Sequence, residues 1–188
     1  MADFLKDVIK DLNNEYAGMA DGDLVGDSTS FVDTGSYIFN ALLSGSIYDG
    51  LPANKITALA GEPSSGKTFF TLGICNTFQK LAPQAGIVYF ETEGAITKDM
   101  LAERGIDPKR FVLIPVSTVQ EFRNQATKIC DNVDKVPLAA RQPILIVLDS
   151  LGNLSTEKEV KDIVEGNDVR DMTRAQLIRG AFRVLALR

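Results

Sequence analysis

The sequence predicts an α/β fold in which a mostly parallel sheet lies between helices. From residue 54 onward, short apolar runs of strand length alternate with segments of helical periodicity. The runs are almost continuously apolar, as strands are when helices cover both faces of a parallel sheet. Ligands of such sheets bind at the carboxyl ends of the strands. We therefore expect the functional residues at those ends.

The predicted strands and helices follow one another in regular order. Strands are expected at residues 55–60, 86–91, 111–116 and 143–149. Helices are expected at residues 67–80, 97–104, 119–133 and 172–187. Apolar residues recur in the helical segments at spacings of three and four. The helix at 97–104 also has end signals, since Thr97 is a good N-cap and Gly105 a good C-terminal stop.

An amphipathic helix is predicted at residues 3–16, ahead of this core. Its apolar positions are Phe4, Leu5, Val8, Ile9, Leu12 and Tyr16. A glycine- and aspartate-rich stretch follows the helix and is typical of a linker. The helix either packs on its own domain or docks on a neighbouring subunit. We divide the chain into residues 1–30, the helix and linker, and residues 31–188, the core.

The composition is that of a globular protein and excludes several classes of function. Hydrophobic residues make up 45% of the chain, but no apolar run approaches the ~18 residues of a membrane span, so we expect no membrane partner. The N-terminus mixes acids and bases and does not resemble a secretory signal. Two cysteines without a CxxC pattern are typical of a reducing compartment, which predicts a cytoplasmic location.

The histidine content excludes some kinds of catalysis, and the net charge limits how the chain can contact DNA. The chain has no histidine, which excludes Ser-His-Asp and Cys-His catalysis. Its net charge is −5, whereas nucleic-acid binders are usually basic. Any contact with DNA therefore has to come from a local basic cluster.

One motif predicts the ligand. The pattern GxxxxGK[ST] is matched between a predicted strand and a predicted helix by Gly61, Glu62, Pro63, Ser64, Ser65, Gly66, Lys67 and Thr68. The amides of such a loop and the helix N-terminus point at one centre and bind phosphate. We predict that Lys67 contacts the β- and γ-phosphates of ATP and that the Thr68 hydroxyl binds Mg²⁺. A chance match is disfavoured, because the motif lies between a strand and a helix.

Three carboxylates lie at or just after the ends of predicted strands. Asp149 ends the strand at 143–149 and either holds magnesium, as a Walker-B aspartate does, or caps a turn. Glu91 and Glu93 come at the end of the strand at 86–91, where alternation places both on one side. A carboxylate there can polarise an attacking water, but both residues could instead be solvated loop acids. The residues alone leave these alternatives open.

Arginines crowd the end of the chain. They are Arg170, Arg174, Arg179, Arg183 and Arg188. Two pairs are four residues apart, so each pair shares a helix face. A polar segment centred on Gly166 precedes them. The arrangement is either a solvated helix with a surface loop or a phosphate-contacting helix beneath a DNA-binding loop.

The order of motifs resembles a known family. Thr34-Gly35-Ser36, Gly50-Leu51-Pro52, the P-loop, YFETEG, ILIVLDSLGNL and DMTRA occur in succession. In this order they resemble the RecA family of recombinases, and within it the UvsX branch of T-even-type phages, from about residue 31 onward. The resemblance implies a RecA-like P-loop ATPase core that binds ATP and Mg²⁺. It also implies a helical filament on single-stranded DNA that pairs with a homologous duplex in recombination, repair and replication.

The resemblance implies a role for individual residues. Glu93 matches the glutamate that activates water, so that Glu93 and Lys67 are the catalytic residues. Thr97 and Met100 match positions that contact adenine, with Met100 in place of an aromatic residue. The residues implied in DNA binding are Asp162, Gly166, Asn167, Arg170 and Arg174. The N-terminal helix matches the element that docks on the adjacent protomer.

The resemblance also implies that the core is incomplete at its C-terminus, since the family core continues with further strands and a second DNA-binding loop. Other functions stay open. The chain could belong to another RecA-like P-loop ATPase, such as a helicase motor or a circadian-clock-type ATPase. It could also be a fragment that binds nucleotide without turnover. An ABC transporter ATPase is disfavoured because LLSGSI, which is similar to its signature, precedes the P-loop. A nucleotide kinase is disfavoured too, because it would need an arginine-rich lid after the P-loop helix and none is evident in the sequence.

Overall fold

The computed structural model describes residues 2–12, 17–22, 27–28, 30–167 and 171–186. The helices are α1 (Ala2–Asp11), α2 (Tyr37–Ser44), α3 (Lys67–Leu81), α4 (Lys98–Glu103), α5 (Val119–Asp134), α6 (Glu157–Val164) and α7 (Arg174–Leu185). The strands are β1 (Phe31–Val32), β2 (Leu51–Pro52), β3 (Gly86–Glu91), β4 (Phe111–Pro115) and β5 (Ile144–Asp149). The predicted α/β fold is confirmed.

The main sheet is parallel and has three strands in the order β4-β3-β5. Its register places Glu91, the last residue of β3, opposite both Pro115 and Asp149. The carboxyl ends of the strands are therefore level. Because β3 and β5 each end in a carboxylate, one edge of the sheet collects acidic groups, as the sequence predicts.

Helices cover both faces of this sheet. Alternation along β3 directs Ile87 and Tyr89 to one face and Phe90 to the other. On the first face, α3 packs Cys75 and its neighbours against the sheet. On the second face α5 and α7 cover the sheet, and Phe122 meets Phe90 edge-on at 5.1 Å between ring centroids. Each face thus has its own apolar core.

Polar end signals fix where the helices begin. The Thr118 hydroxyl accepts from the amide of Glu121 at the start of α5, and the Glu121 carboxylate accepts from the amides of Ser117 and Thr118. Hydrogen bonds, first that from the Ser117 amide, lower the pKa of Glu121. α4 starts after Thr97 and α6 after Thr156, whose hydroxyls accept from amides of the first turn. The predicted cap at Thr97 is confirmed.

The strand predicted at residues 55–60 is wrong. This segment runs from β2 to the P-loop without pairing to any strand of the described residues. Its apolar side chains are largely exposed, with Ile56 at 54%. A strand needs a neighbour to satisfy its backbone amides and carbonyls, and the described part of the chain supplies none. β2 instead pairs with β1 in a short antiparallel ladder that the sequence did not signal.

The polar segment expected to form a loop contains α6. Thr156 and Glu159 form a capping box at its start, each side chain accepting from the other residue's amide. Asp162 therefore lies in a helix, whereas Gly166 and Asn167 follow its end. The predicted loop residues 168–170, with Arg170, lie outside the described residues.

Both terminal helices form, with ends that differ from the prediction. α1 covers Ala2–Asp11, and Tyr16 lies outside the described residues. The apolar face of α1 is largely exposed, with Phe4 at 68% and Leu5 at 47%. α7 covers Arg174–Leu185, and Arg188 lies outside the described residues. Each helix of the described residues is too short or too polar to cross a membrane.

The residues that flank α6 are joined by a buried hydrogen bond. The Thr156 hydroxyl donates to Oδ2 of Asp171 at 2.6 Å. The amide and the hydroxyl of Thr173 donate to the other carboxylate oxygen at 2.9 and 2.7 Å. These bonds, first that from Thr156, lower the pKa of Asp171 to about 2. Asp171 thus ties the start of α7 to the start of α6.

Asp171→Asn is expected to destabilise the fold at pH 7, because an amide replaces one acceptor oxygen with a donor. The folded-state pKa of about 2 lies below the usual ~3.9 of an unfolded aspartate. The contribution of the carboxylate is therefore complete above that usual value and is lost as the pH falls through the folded pKa. Urea unfolding at pH 7 to 2 measures this. The gap between wild type and variant should close at low pH, whereas the exposed control Glu103→Gln should show little gap throughout.

Candidate nucleotide-binding site

The predicted phosphate-binding loop leads directly into α3. Gly66 precedes the helix with a φ of 85°, a left-handed conformation that glycine adopts without strain. α3 then begins at Lys67, and its first amides have no partner within the helix. Residues 61–66 are all exposed. The loop is therefore open to a ligand and presents the positive end of a helix to it.

The Lys67 side chain folds back across this loop. Its ammonium donates to the carbonyl oxygens of Gly61 at 3.0 Å and Glu62 at 2.8 Å. The cation and the N-terminus of α3 consequently lie on the same loop. This combination of positive charge and amides suits an anion with several oxygens, such as a polyphosphate.

The two predicted magnesium ligands are in contact, although they are far apart in sequence. The Thr68 hydroxyl donates to Oδ2 of Asp149 at 2.7 Å. The Tyr89 hydroxyl donates to the same oxygen at 2.7 Å, and burial, followed by this hydrogen bond, raises the pKa of Tyr89. A hydroxyl beside a carboxylate is a set of hard oxygen donors of the kind that Mg²⁺ prefers. The residues present therefore fit a magnesium ion.

Glu91 is not a solvated loop acid, so this alternative is wrong for Glu91. Its side chain is buried, and its carboxylate accepts from the amides of Glu93 at 3.0 Å, Gly94 at 2.6 Å and Ala95 at 2.9 Å. β3 ends at Glu91, so the alternation of a strand does not continue to Glu93. Glu91 instead fixes the turn that carries Glu93.

Glu93 lies beside the end of β5 and its side chain is exposed. Its Oε1 accepts from Nδ2 of Asn153 at 2.6 Å and from the Ser150 hydroxyl at 3.4 Å. The turn is tied to β5 by Thr92, whose amide donates to the carbonyl of Asp149 at 3.0 Å. Glu93 and Asp149 therefore share the edge of the sheet where the P-loop lies. Sequence reasoning missed the contact with Asn153.

The residues predicted beside adenine lie at the start of α4. The Thr97 hydroxyl accepts from the Met100 amide at 3.2 Å, and the half-buried Met100 packs against the core on the α3 side. Their contact with a base stays a prediction.

A contact between Arg104 and Phe69 was not predicted. The Arg104 guanidinium lies 3.1 Å from the centroid of the Phe69 ring. Phe69 directly follows Thr68, but nothing in the sequence pairs residues 35 positions apart.

The residues predicted to bind DNA fall into two groups. Gly166 and Asn167 follow α6, and the Asn167 amide donates to the Asp162 carbonyl at 2.8 Å. Arg174 instead lies at the start of α7, where its Nε donates to the carbonyl of Leu154 at 2.7 Å. The structure thus places Arg174 under the turn that follows β5, close to the nucleotide site. A contact with DNA stays a prediction for all of them.

Comparison with known proteins identifies the family, although no protein-family model matches the chain. The recombination and repair protein of Enterobacteria phage T4 is 30% identical over 148 residues, which are 79% of this chain and 36% of that protein. Protein RecA of Xanthomonas campestris pv. campestris is 27% identical over 164 residues, 87% of this chain and 43% of that protein. The chain belongs to the RecA family.

The family predicted from the order of motifs is confirmed, including its similarity to the phage branch. Protein RecA of Mycoplasma genitalium adds a further relative of this RecA-family chain, 30% identical over 135 residues, 71% of this chain and 36% of that protein. The chain spans 36 to 43% of the length of these relatives.

Glu91→Gln is expected to lower the free energy of unfolding by about 1–3 kcal/mol, the cost of leaving a buried polar group without its partner. The amide nitrogen of glutamine would face a backbone amide that the carboxylate now binds. Urea unfolding measures the loss, and hydrogen exchange at the Gly94 amide should become faster. Glu62→Gln, on the exposed P-loop, is the matched control. Equal losses in the two variants would contradict the anchoring role of Glu91.

Proposed function

We propose that this chain is the nucleotide-binding part of an ATP-dependent DNA recombinase. The observation that carries the proposal is the contact of Thr68 with Asp149 at 2.7 Å beside a complete P-loop. It joins the two oxygen ligands expected for a magnesium–nucleotide complex. The names of the relatives, "Recombination and repair protein" and "Protein RecA", support the DNA side of the proposal.

The phosphates of ATP would be held by the loop from Gly61 to Thr68. Lys67 would exchange its loop carbonyls for the β- and γ-phosphates, because an ammonium binds a charged oxygen more strongly than a neutral one. Thr68 and Asp149 would hold Mg²⁺, which when bound neutralises phosphate charge. Thr97 and Met100 would lie beside the adenine.

Glu93 would accept the proton of the attacking water. It lies on the ligand edge of the sheet, is open to solvent and has one carboxylate oxygen engaged with Asn153. Glu91 is unsuited to this task, since its carboxylate is buried and binds three amides. Proton transfer to a positioned carboxylate contributes about 10²–10⁴ in rate.

In the full-length protein, ATP binding would drive a filament on single-stranded DNA, for pairing with a homologous duplex and strand exchange. The DNA contacts would come from Asp162, Gly166, Asn167, Arg170 and Arg174. The exposed apolar face of α1 would dock on the adjacent subunit, which removes that face from water. We place this activity in the cytoplasm, that of the host if a phage encodes the chain.

A nucleotide-binding fragment without turnover is the second candidate. It is favoured by residues 55–60, which lead into the P-loop without strand pairing to the described residues. A loop supported on one side only can bind phosphate without the precise geometry that hydrolysis requires. Hydrolysis rates with and without single-stranded DNA distinguish the two candidates, because only a recombinase ATPase is expected to respond to DNA.

Lys67→Ala is expected to weaken ATP binding about tenfold to a hundredfold, since a hydrogen bond to a charged group contributes about 1.5–3 kcal/mol. Calorimetric titration with ATP and Mg²⁺ measures the affinity. Lys80→Ala, at the exposed end of α3, is the matched control and should bind as wild type does. Unchanged affinity in the Lys67 variant would exclude the P-loop as the phosphate site.

Glu93→Gln is expected to keep ATP bound but to slow its hydrolysis at least about a hundredfold, because an amide cannot accept the proton of water. Steady-state phosphate release at saturating ATP, with and without single-stranded DNA, measures the rate. Glu103→Gln, an exposed residue of α4, should hydrolyse as wild type does. A Glu93→Gln chain with wild-type turnover would remove Glu93 from the chemistry.

A further inference from the structure

The contact between Asn153 and Glu93 joins two segments that the sequence separates by 60 residues. Nδ2 of Asn153 donates to Oε1 of Glu93 at 2.6 Å. An ionised carboxylate only accepts hydrogen bonds, so the asparagine has to present its NH₂ group to it. Both side chains are exposed. The contact is thus local to the nucleotide edge of the sheet and is no part of the apolar cores.

Glu93 needs such a contact to hold its carboxylate in one place. Glu91 fixes the backbone of the turn through three amides, but this leaves the side-chain torsions of Glu93 free. An exposed glutamate loses rotamer freedom when it is ordered. Within the described part of the chain, Oε1 is held by Asn153 and Ser150, and Oε2 has no hydrogen-bond partner.

Asn153 lies on a turn that is itself held in place by hydrogen bonds and packing. It ends a short 3-10 turn, Leu151–Asn153, directly after β5. The guanidinium of Arg174 donates to three carbonyls of this turn and the residue after it, those of Leu151, Gly152 and Leu154. Leu154 is buried in the core between α5 and α7. The turn is therefore fixed by a cation on one side and by apolar packing on the other.

We infer that Asn153 is a positioning residue for Glu93 and that Arg174 holds the turn that carries it. The inference rests on the proposed function, in which Glu93 accepts the proton of water. Asn153 binds one oxygen of the carboxylate and leaves the other to the water. A carboxylate held in this way needs no reorientation before it takes the proton, and positioning of this kind is a large part of catalysis.

The test compares Asn153→Ala and Asn153→Asp in the full 188-residue chain. Both should bind ATP within about twofold of wild type, because Asn153 does not lie on the P-loop. The turnover number should fall about tenfold for Asn153→Ala, less than the ~100-fold that a 1 Å misplacement of a catalytic group can cost. It should fall further for Asn153→Asp, which places a second negative charge beside Glu93. Asn132→Ala and Asn132→Asp, at an exposed site of α5, are the matched controls.

A double variant shows whether Asn153 acts through Glu93. In the Glu93→Gln background, Asn153→Ala should lower turnover no further, because the base it positions is already lost. Arg174→Lys, measured without DNA, should lower the turnover number with little change in ATP affinity, since a compact ammonium group cannot reproduce the planar fork of the guanidinium. Arg179→Lys, exposed on the same helix, should leave both unchanged.

Unfolding provides a readout that does not require turnover. Asn153→Asp should lower the urea midpoint in the wild-type background, where two carboxylates meet, and lower it less in the Glu93→Gln background. A midpoint shift that is the same in both backgrounds would show that the two side chains do not interact, and the inference would be wrong.

The remaining outcomes separate the inference from the proposed function. Wild-type turnover in both Asn153 variants, a proportionate loss of ATP affinity, or an equal further loss in the Glu93→Gln background would each overturn the positioning role. A wild-type chain that binds ATP but hydrolyses none, with or without DNA, would overturn the proposed ATPase. The unfolding comparison would then still decide whether Asn153 fixes Glu93.

Discussion

The parallel ladder between β3 and β5 is the constraint on which the site depends. It joins Gly86–Glu91 to Ile144–Asp149 in register and so sets Glu91 level with Asp149. The P-loop helix reaches the ladder through the hydrogen bond from Thr68 to Asp149. The turn that carries Glu93 is tied to the same strand end through Thr92. A shift of one residue in this ladder would reverse the faces of β5 and separate the phosphate loop from its carboxylate.

The two glutamates at the end of β3, Glu91 and Glu93, have identical side chains in different environments. Glu91 is enclosed and binds the amides of its own turn, so that it acts as part of the scaffold. Glu93, two residues later, is exposed and meets only side chains. A carboxylate that binds three amides is already committed, whereas one with a free oxygen can accept a proton. These contacts, which do not depend on the family, support Glu93 over Glu91 as the proposed base.

Local signals allowed most of the fold to be predicted, and the failures occurred where distant residues decide. The P-loop, β3, the cap at Thr97 and the strand end at Asp149 follow from short patterns. The strand at 55–60 could not be judged from its own residues, because strands depend on neighbours. The hydrogen bonds of Arg174 could not be predicted for a similar reason, since its three carbonyl partners lie 20 to 23 positions earlier in the chain. Helix α6 begins with a capping box, but the polar composition of the segment was interpreted as a loop.

Residues 55–60 pair with no strand of the described residues, and this has a consequence for how ligand binding would affect the stability of the fold. The P-loop is anchored through α3, while its entering segment has no strand beside it in the described residues. If ATP binds as proposed, the phosphates would join the loop amides to Lys67 and so add contacts on the side where no strand pairs. A ligand that binds only the folded form stabilises it by about 2.7 kcal/mol at a hundred times its Kd. The concentration of nucleotide in the cell would then help to set how much of this chain is folded.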